Sequence, residues 1–425
     1  MRASFPKRKQ LLTSFPSLRS WRGGIFAGTF VALGLIVVLI SHAAGPYVTT
    51  EAENGTISGA ATTGSDAAAS GGQYVALNAP TPTPTPSPSP GACASTTANV
   101  PDGPDGLGGC FPGPNNTGPS WVEPPATIKD SNGNTVTNPA YTAVLYTGSC
   151  TVNTANVTID SKIVNCSPLF LDAGATNLMI KNSYLKGGVI QLDGTFAAFT
   201  VQDSQIDNNV SRPACSDMNG DGQPDCPAGK YACGDLNNGT TLCGIGYQNF
   251  TVLRSEIMHS NRGAYCEKTC TIQDSYFHGT NLWPDVTNNV HASGVRNEQY
   301  LTLRHNSLGC DYPGPFVNDD IGCSADMSGY PDFAPIMHDT IDSNLFLANA
   351  TGFYFCAYGG GTAGKPFSGS ASNDTYVAFT NNVFQRGTTG VCGTNGGAPI
   401  TDFISGRTGN VWTNNKYDNG TTVNP

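Results

Sequence analysis

The chain has 425 residues, 21 Lys and Arg against 31 Asp and Glu, a formal net charge of −10 at pH 7, and only 12% charged residues. The acidic balance and the lack of a basic stripe argue against nucleic acid as a partner. With 51 Gly and 14 Cys, the composition suits a turn-rich β structure rather than a helical one.

Residues 1–22 carry Arg2, Lys7, Arg8, Lys9, Arg19 and Arg22 and no acid, and Gly23–Ile40 is an uncharged, largely apolar run. A basic end followed by such a run reads as a secretory signal peptide or a signal anchor over 23–44. Small residues at Ser41, Ala43 and Ala44 would serve cleavage, whereas the long basic lead favours an uncleaved anchor. The expected location is extracellular or at the cell surface, tethered to the membrane where the segment is kept. Without those six basic residues, 15 Lys and Arg remain against 31 Asp and Glu, a net charge near −16. The even cysteine count in an exported chain points to disulfides, and the absence of a CxxC pair argues against zinc. Cys215–Cys226 is the local pairing expected.

Residues 45–79 form a short module-like segment, and 80–92 a linker whose Pro80–Pro90 run, PTPTPTPSPSP, is an extended polyproline spacer. Residues 93–155, rich in Gly, Pro and Asn, are expected to form an N-terminal cap over the first strands of the main domain.

From 156 to 425 a short phrase recurs, with apolar residues third and eighth and Ser or Asn sixth. Its copies run Leu178–Leu185, Phe199–Ile206, Phe250–Ile257, Cys270–Phe277, Leu301–Leu308, Asp339–Phe346, Val377–Phe384 and Asn410–Tyr417, with a looser one opening at Val157. Start-to-start spacings are 21, 21, 51, 20, 31, 38, 38 and 33 residues. Repetition near 20 residues with insertions means stacked coils, because one unit cannot bury its own apolar face. Thr, Val, Ile and aromatics around the apolar positions favour strands. Two inward positions five apart break period-2 alternation, so a bend lies between them. The sixth residues, Ser183, Ser204, Ser255, Ser275, Asn306, Asn344, Asn382 and Asn415, are assigned to that bend, where Asn tolerates left-handed backbone. The fold expected is all-β: a single-stranded right-handed parallel β-helix with disulfide-rich loop insertions.

The phrase resembles the repeats of pectate-lyase-like right-handed β-helices, with their polar ladder between sheets. The segments CFPGPNNTG (Cys110–Gly118), CSAD (Cys323–Asp326), FYFCAYGGG (Phe353–Gly361) and GNVWTNNKYDNGT (Gly409–Thr421) resemble secreted β-helix proteins of Gram-positive bacteria. Glu51–Asn78 resembles the opening of family 6 or 35 carbohydrate-binding modules, cut short by the linker. These resemblances imply a polysaccharide or cell-surface glycan as partner.

Asp217, Asn219, Asp221, Gln223 and Asp225 follow the spacing of a calcium loop, with Gly222 at its turn. Position 12 is Ala228 instead of Glu, so a structural Ca2+ is expected rather than an EF-hand. Fifth positions of consecutive phrases read Asp203, Arg254, Asp274 and His305, a ladder of alternating sign on the outer surface. His259 and His278 follow the eighth positions of neighbouring coils, as groups for substrate binding or proton transfer. The insertion Asn281–Arg296 concentrates Trp283, Asp285, His291 and Arg296, an aromatic face with polar partners as a sugar site requires. The next insertion brings Asp319, Asp320 and Asp326.

Two mechanisms fit. β-Elimination on a uronate needs Arg296 to neutralise the carboxylate and His291 or His305 as base. Hydrolysis needs paired carboxylates, from Asp285, Asp319, Asp320 or Asp326. The function expected is an exported, monomeric, carbohydrate-active protein, either a polysaccharide lyase or a glycoside hydrolase. A non-catalytic surface adhesin or glycan-binding protein is the alternative.

Overall fold

In a computed structural model the chain divides into two compact units, Met1–Thr85 and Pro86–Pro425. The described residues are 61–65 and 73–77, and then 93–425 apart from 193–196, 210–242, 282–289, 313–320, 349–354, 363, 368–375 and 394–398. The basic leader, the apolar run, the linker, the calcium-type loop and Cys215–Cys226 all lie outside the described residues. Among those that are described, no helix is long and apolar enough to cross a membrane. In the first unit, Ala61–Ser65 pairs antiparallel with Gln73–Leu77.

The second unit is built almost wholly from short parallel strands. Each octet forms two of them. The first lies across positions one to four, as in Leu178–Lys181, Phe199–Gln202 and Phe250–Leu253. The second follows the bend, as in Tyr184–Lys186, Gln205–Asp207 and Glu256–Met258. A third strand closes each repeat, as in Val189–Gln191 and Cys243–Gln248. Twice the third strand runs straight into the next octet, giving Arg262–Gln273 and Val290–Arg304. Equivalent strands of neighbouring repeats pair parallel and in register: Val201 faces Ile180 on one side and Val252 on the other. The second strands form a nine-stranded sheet ordered by repeat. This all-β stack is compatible with a β-helix solenoid.

Apolar rows fill the interior. Ile180, Val201, Val252, Ile272, Leu303, Ile341 and Phe379 from the third position, and Leu185 to Phe384 from the eighth, are buried in one continuous core. Each such side chain contributes about 1.5–3 kcal/mol of apolar burial.

The bend differs from the expectation. Left-handed backbone falls on the fifth residue of every octet: Ser161, Asn182, Asp203, Arg254, Asp274, His305, Ser343, Asn381 and Asn414 have φ between 46° and 59°. The sixth residue points inward and is buried. Its oxygen accepts from the backbone N–H of the sixth residue one coil earlier, from Ser183→Ser204 (3.1 Å) through Asn306→Asn344 (3.0 Å) to Asn382→Asn415 (3.1 Å). Each Asn amide adds a bond to a core carbonyl, as from Asn344 Nδ2 to Leu303 O at 2.9 Å. A corner turned by one left-handed residue leaves the next N–H aimed along the stack, so an inward acceptor is what that position needs.

Residues 93–145 lie along the stack. Asn99 Nδ2 bonds Asp418 O in the last repeat (2.9 Å), Gly118 N bonds Arg254 O (3.0 Å), and Ser120 N and Trp121 Nε1 bond Asn182 (2.8 and 2.6 Å). Leu145 then bridges to Ile163 in the first repeat. The segment expected as an end cap is thus a strap laced over successive bends. Disulfides join Cys93–Cys110, Cys150–Cys166, Cys266–Cys270, Cys310–Cys323 and Cys356–Cys392. Cys243 is disulfide-bonded too.

Replacing Asn344 by Ala removes two donated and two accepted bonds from a buried row. Buried orphans cost ~1–3 kcal/mol each. Urea unfolding should therefore show a loss of about 3–5 kcal/mol for Asn344→Ala, and about half that for Asn344→Ser, which keeps one acceptor. Equal losses would mean that volume, not the acceptor, matters there.

Candidate functional site on the third sheet

The connection from first to second strand is a constant short bend in every repeat, whereas long insertions flank the third strand. The chain between a second strand and the third strand after it is long and of unequal length, as from Asp207 to Cys243, His278 to Val290, Leu308 to Ile321 and Phe346 to Ala357. Loops carry function more often than the scaffold beneath them, so the outer face of the third sheet is the place to look.

Alternation sets what faces outward. Ala264, Val295, Met327 and Ala357 lie in register and belong to the core. Their successors Tyr265, Arg296, Ser328 and Tyr358 therefore form an outward row, with Glu267, Glu298 and Tyr330 two residues further on. Cys266↔Asn297 and Lys268↔Gln299 bracket Glu267 and Glu298, so these two residues hold adjacent register positions on neighbouring coils.

The cluster is polar, aromatic and largely enclosed. Tyr265 Oη donates to Glu298 Oε1 (2.9 Å), as does Phe333 N (3.3 Å). Glu298 is fully buried, and its Oε2 has no hydrogen-bond partner among the described residues. Burial, with repulsion from Glu267, pushes the Glu298 carboxyl up to about 7 against the pull of Tyr265 and Arg296. The Arg296 guanidinium lies over the rings of Tyr265 (5.0 Å) and Tyr330 (5.8 Å) and pairs with Asp332. Burial works against its charge, but Tyr265, Asp332 and Glu298 together hold it firmly protonated. Lys365 bonds the other Asp332 oxygen (2.9 Å) and sits 4.5 Å above the Tyr330 ring. Burial would raise Asp332, yet Arg296 and Lys365 outweigh it and lower its carboxyl. Tyr330 and Tyr358 meet edge to face at 5.3 Å, beside Phe355. The arrangement holds a buried carboxyl raised to about 7, a second glutamate one coil away, and half-buried tyrosine rings.

Of the residues expected from sequence, Arg296 is central here. His291 shares its strand, exposed, with Nδ1 3.1 Å from Ser324 Oγ. His305 lies elsewhere, on the bend. Its ring stacks on Phe111 (5.7 Å) and bridges Asp274 (2.6 Å) and Asp105 of the strap (3.2 Å). Burial opposes its charge, but those two carboxylates push it up to about 9. Arg254 makes the ladder's other rung with Asp203 at 2.6 Å. His259 pairs with Asp207 (2.7 Å) and His278 with Glu256 (2.9 Å), both along the second sheet. Asp326 is buried and accepts from Cys310 N (2.8 Å). It also neighbours Cys356 and Cys392, whose sulfurs are joined to each other and so make no metal ligands. Trp283, Asp285, Asp319, Asp320 and the calcium-type set Asp217, Asn219, Asp221, Gln223 and Asp225 lie outside the described residues.

Sequence reading missed Tyr265, Glu267, Glu298, Tyr330, Asp332 and Lys365. A signal existed for the pair: Glu267 stands three residues before the octet at Cys270, and Glu298 three before the octet at Leu301. No family model matches the chain, and neither does any curated protein or solved structure.

Two raised groups give a signed pH dependence. Glu298, raised from 4.5 to about 7, stabilises the fold fully below 4.5, and that contribution is lost as pH rises through 7. His305, raised from 6.5 to about 9, behaves likewise between those limits. The melting temperature should therefore fall on going from pH 5 to pH 9. Glu298→Gln should flatten the lower part of that fall and His305→Gln the upper part. A melting profile that keeps both segments in both variants would rule out the assignment.

Proposed function

We propose that the chain is an exported, carbohydrate-active protein on a right-handed parallel β-helix, and that it hydrolyses a polysaccharide lying across the third sheet. Right-handedness follows from the near-universal hand of parallel β crossovers. Numerous disulfides fit an oxidising, extracellular setting. The observation that carries the reading is the Glu298–Glu267 pair: two glutamates at adjacent register positions on neighbouring coils, one of them raised to about 7 chiefly by burial. Environments that push two carboxyl groups apart define an acid and its partner.

In this reading Glu298 protonates the glycosidic oxygen as the bond to the anomeric carbon breaks. A coil step of about 4.8 Å favours the closer carboxylate spacing of ~5–5.5 Å, at which the second group attacks that carbon directly. Glu267 then forms a glycosyl ester, and Glu298, now ionised, takes a proton from the water that releases it. Tyr330 and Tyr358 offer ring faces to the sugar. Hydrolysis is favoured over elimination because Arg296 is committed to Asp332 and two tyrosine rings, which leaves it poorly placed to neutralise a uronate. The calcium-type loop at Asp217–Asp225 is assigned a structural role. One observation favours the alternative of a non-catalytic glycan-binding protein: Glu298 is wholly enclosed, so a substrate reaches it only if Tyr265 or Phe333 yields.

The test incubates the exported part with plant, algal and bacterial polysaccharides, with and without chelator. New reducing ends with retained anomeric configuration are expected, and Glu298→Gln should lower their release ~100-fold or more without lowering the melting temperature. An ultraviolet-absorbing unsaturated product would replace hydrolysis by elimination. Binding with neither product would establish the glycan-binding protein, and full activity in Glu298→Gln would remove the acid.

A further inference from the structure

Glu267 occupies an unusual place. It lies on the strand Arg262–Gln273 just where the third sheet of one repeat runs into the first sheet of the next. The turn between them is tight, with Thr269 in the left-handed region at φ 59°. Cys266 and Cys270, both buried, are joined across that turn, so the disulfide closes a ring only four residues apart in sequence around Glu267, Lys268 and Thr269. The equivalent turn of the next coil, around Gln299 and Tyr300, carries no such bond. Cys266 is in register with Asn297, and Cys270 with Leu301, on either side of Glu298.

Two carboxyl groups one coil apart repel, and an unrestrained turn at a sheet junction relieves that repulsion by swinging outward. Gln248 Nε2, 3.0 Å from Glu267 Oε2, steers the side chain without fixing the backbone. A covalent ring does fix it. A buried disulfide spanning three residues, inside a strand already held on both sides by parallel pairing, is an extravagant way to stabilise a short turn. The loop entropy that such a small ring removes is slight compared with that of the other bridges.

We propose that the Cys266–Cys270 disulfide is a positioning element: it clamps the turn that carries Glu267 and so holds this residue at the register position next to Glu298, one coil away. The proposal deepens the hydrolase reading and rests on it for its consequence in catalysis, but not for its electrostatic content.

The experiment titrates the carboxyl carbon of Glu298 by NMR in the full chain labelled with 13C-glutamate. The glutamates are Glu51, Glu53, Glu123, Glu256, Glu267 and Glu298, so Glu298→Gln assigns the signal by its disappearance. In Cys266→Ala/Cys270→Ala the Glu298 midpoint should fall, the direction expected on loss of a like charge, while staying above the usual carboxylate range because burial remains. The alkaline limb of the pH–rate profile, which reports loss of the Glu298 proton, should move with it, kcat falling at least tenfold and KM less than twofold. Glu267→Gln, with the bridge intact, should lower the midpoint similarly and does not depend on the double variant folding. Cys310→Ala/Cys323→Ala, which removes a buried bridge elsewhere, should lower the melting temperature while leaving the midpoint in place. An unmoved midpoint in Glu267→Gln, or in a folded Cys266→Ala/Cys270→Ala, overturns the clamp. Normal hydrolysis by Glu298→Gln would defeat the catalytic reading, and the titration would still decide the clamp.

Discussion

Parallel, in-register pairing between equivalent strands is the constraint on which the rest of the Pro86–Pro425 unit depends. Such pairing turns every sequence position into a row running along the stack, so each residue meets its own counterpart on both sides. Apolar rows gain from this, as where Phe346 and Phe384 stack at 4.5 Å. Amide rows gain as well, because each Asn both donates and accepts along the row. Charged rows are tolerated only when signs alternate or one member is neutral. The bend row alternates, Asp203, Arg254, Asp274 and His305, and each contact in it is attractive. The row holding Glu267 and Glu298 does not alternate, and burial, with a smaller push from Glu267, raises the Glu298 carboxyl to about 7. One geometric rule therefore yields a stabilising ladder at one corner and a strained pair at another.

The same rule explains the strap. Nine corners turned by left-handed fifth residues leave backbone carbonyls and side chains pointing outward along one edge. Residues 93–145 satisfy several of them: Arg254 O by Gly118 N, Asn182 by Ser120 and Trp121, and His305 by Asp105. A strap that touches both the last and the first repeat resists separation of any neighbouring pair of coils. It also occupies the corner that the third sheet does not use, so stability and the candidate site sit on different faces of the coil.

Much of this was legible in the sequence because the octet is short and its rows are chemically uniform. Inward positions three and eight could be assigned from apolar identity alone, and the fifth-position ladder from the order of signs. The sixth position was misread in its role: Ser and Asn serve left-handed corners and buried ladders alike, and sequence does not separate the two. Here the corner went to residues as varied as Arg254 and His305, whose β-carbons pay the left-handed cost because the row bonds return it. The acid pair was hidden for another reason. Glu267 and Glu298 stand outside the octet, in third strands whose start is displaced by insertions of unequal length, so their register is fixed only by counting backward from Cys270 and Leu301. Asp332 and Lys365 come from connections beyond those strands, where no repeat unit predicts position.

Enclosure and strain at the acid pair pull in different directions, and their balance is informative. A buried carboxyl with an unpartnered oxygen lowers stability, and an apolar residue in place of Glu298 would remove that cost, since neighbouring rows already pack. Sites that keep such a cost are commonly those where chemistry needs it. The surroundings sharpen the point. Arg296 would ordinarily ionise a carboxylate two residues along the same face, yet its charge is drawn instead to Asp332 and to the faces of Tyr265 and Tyr330. Asp332, held in turn by Lys365, thereby competes for the guanidinium that would otherwise settle on Glu298. The network gives Asp332 two cationic partners and Glu298 only part of the pull of one, so ion pairing lowers one carboxyl group while burial raises the other.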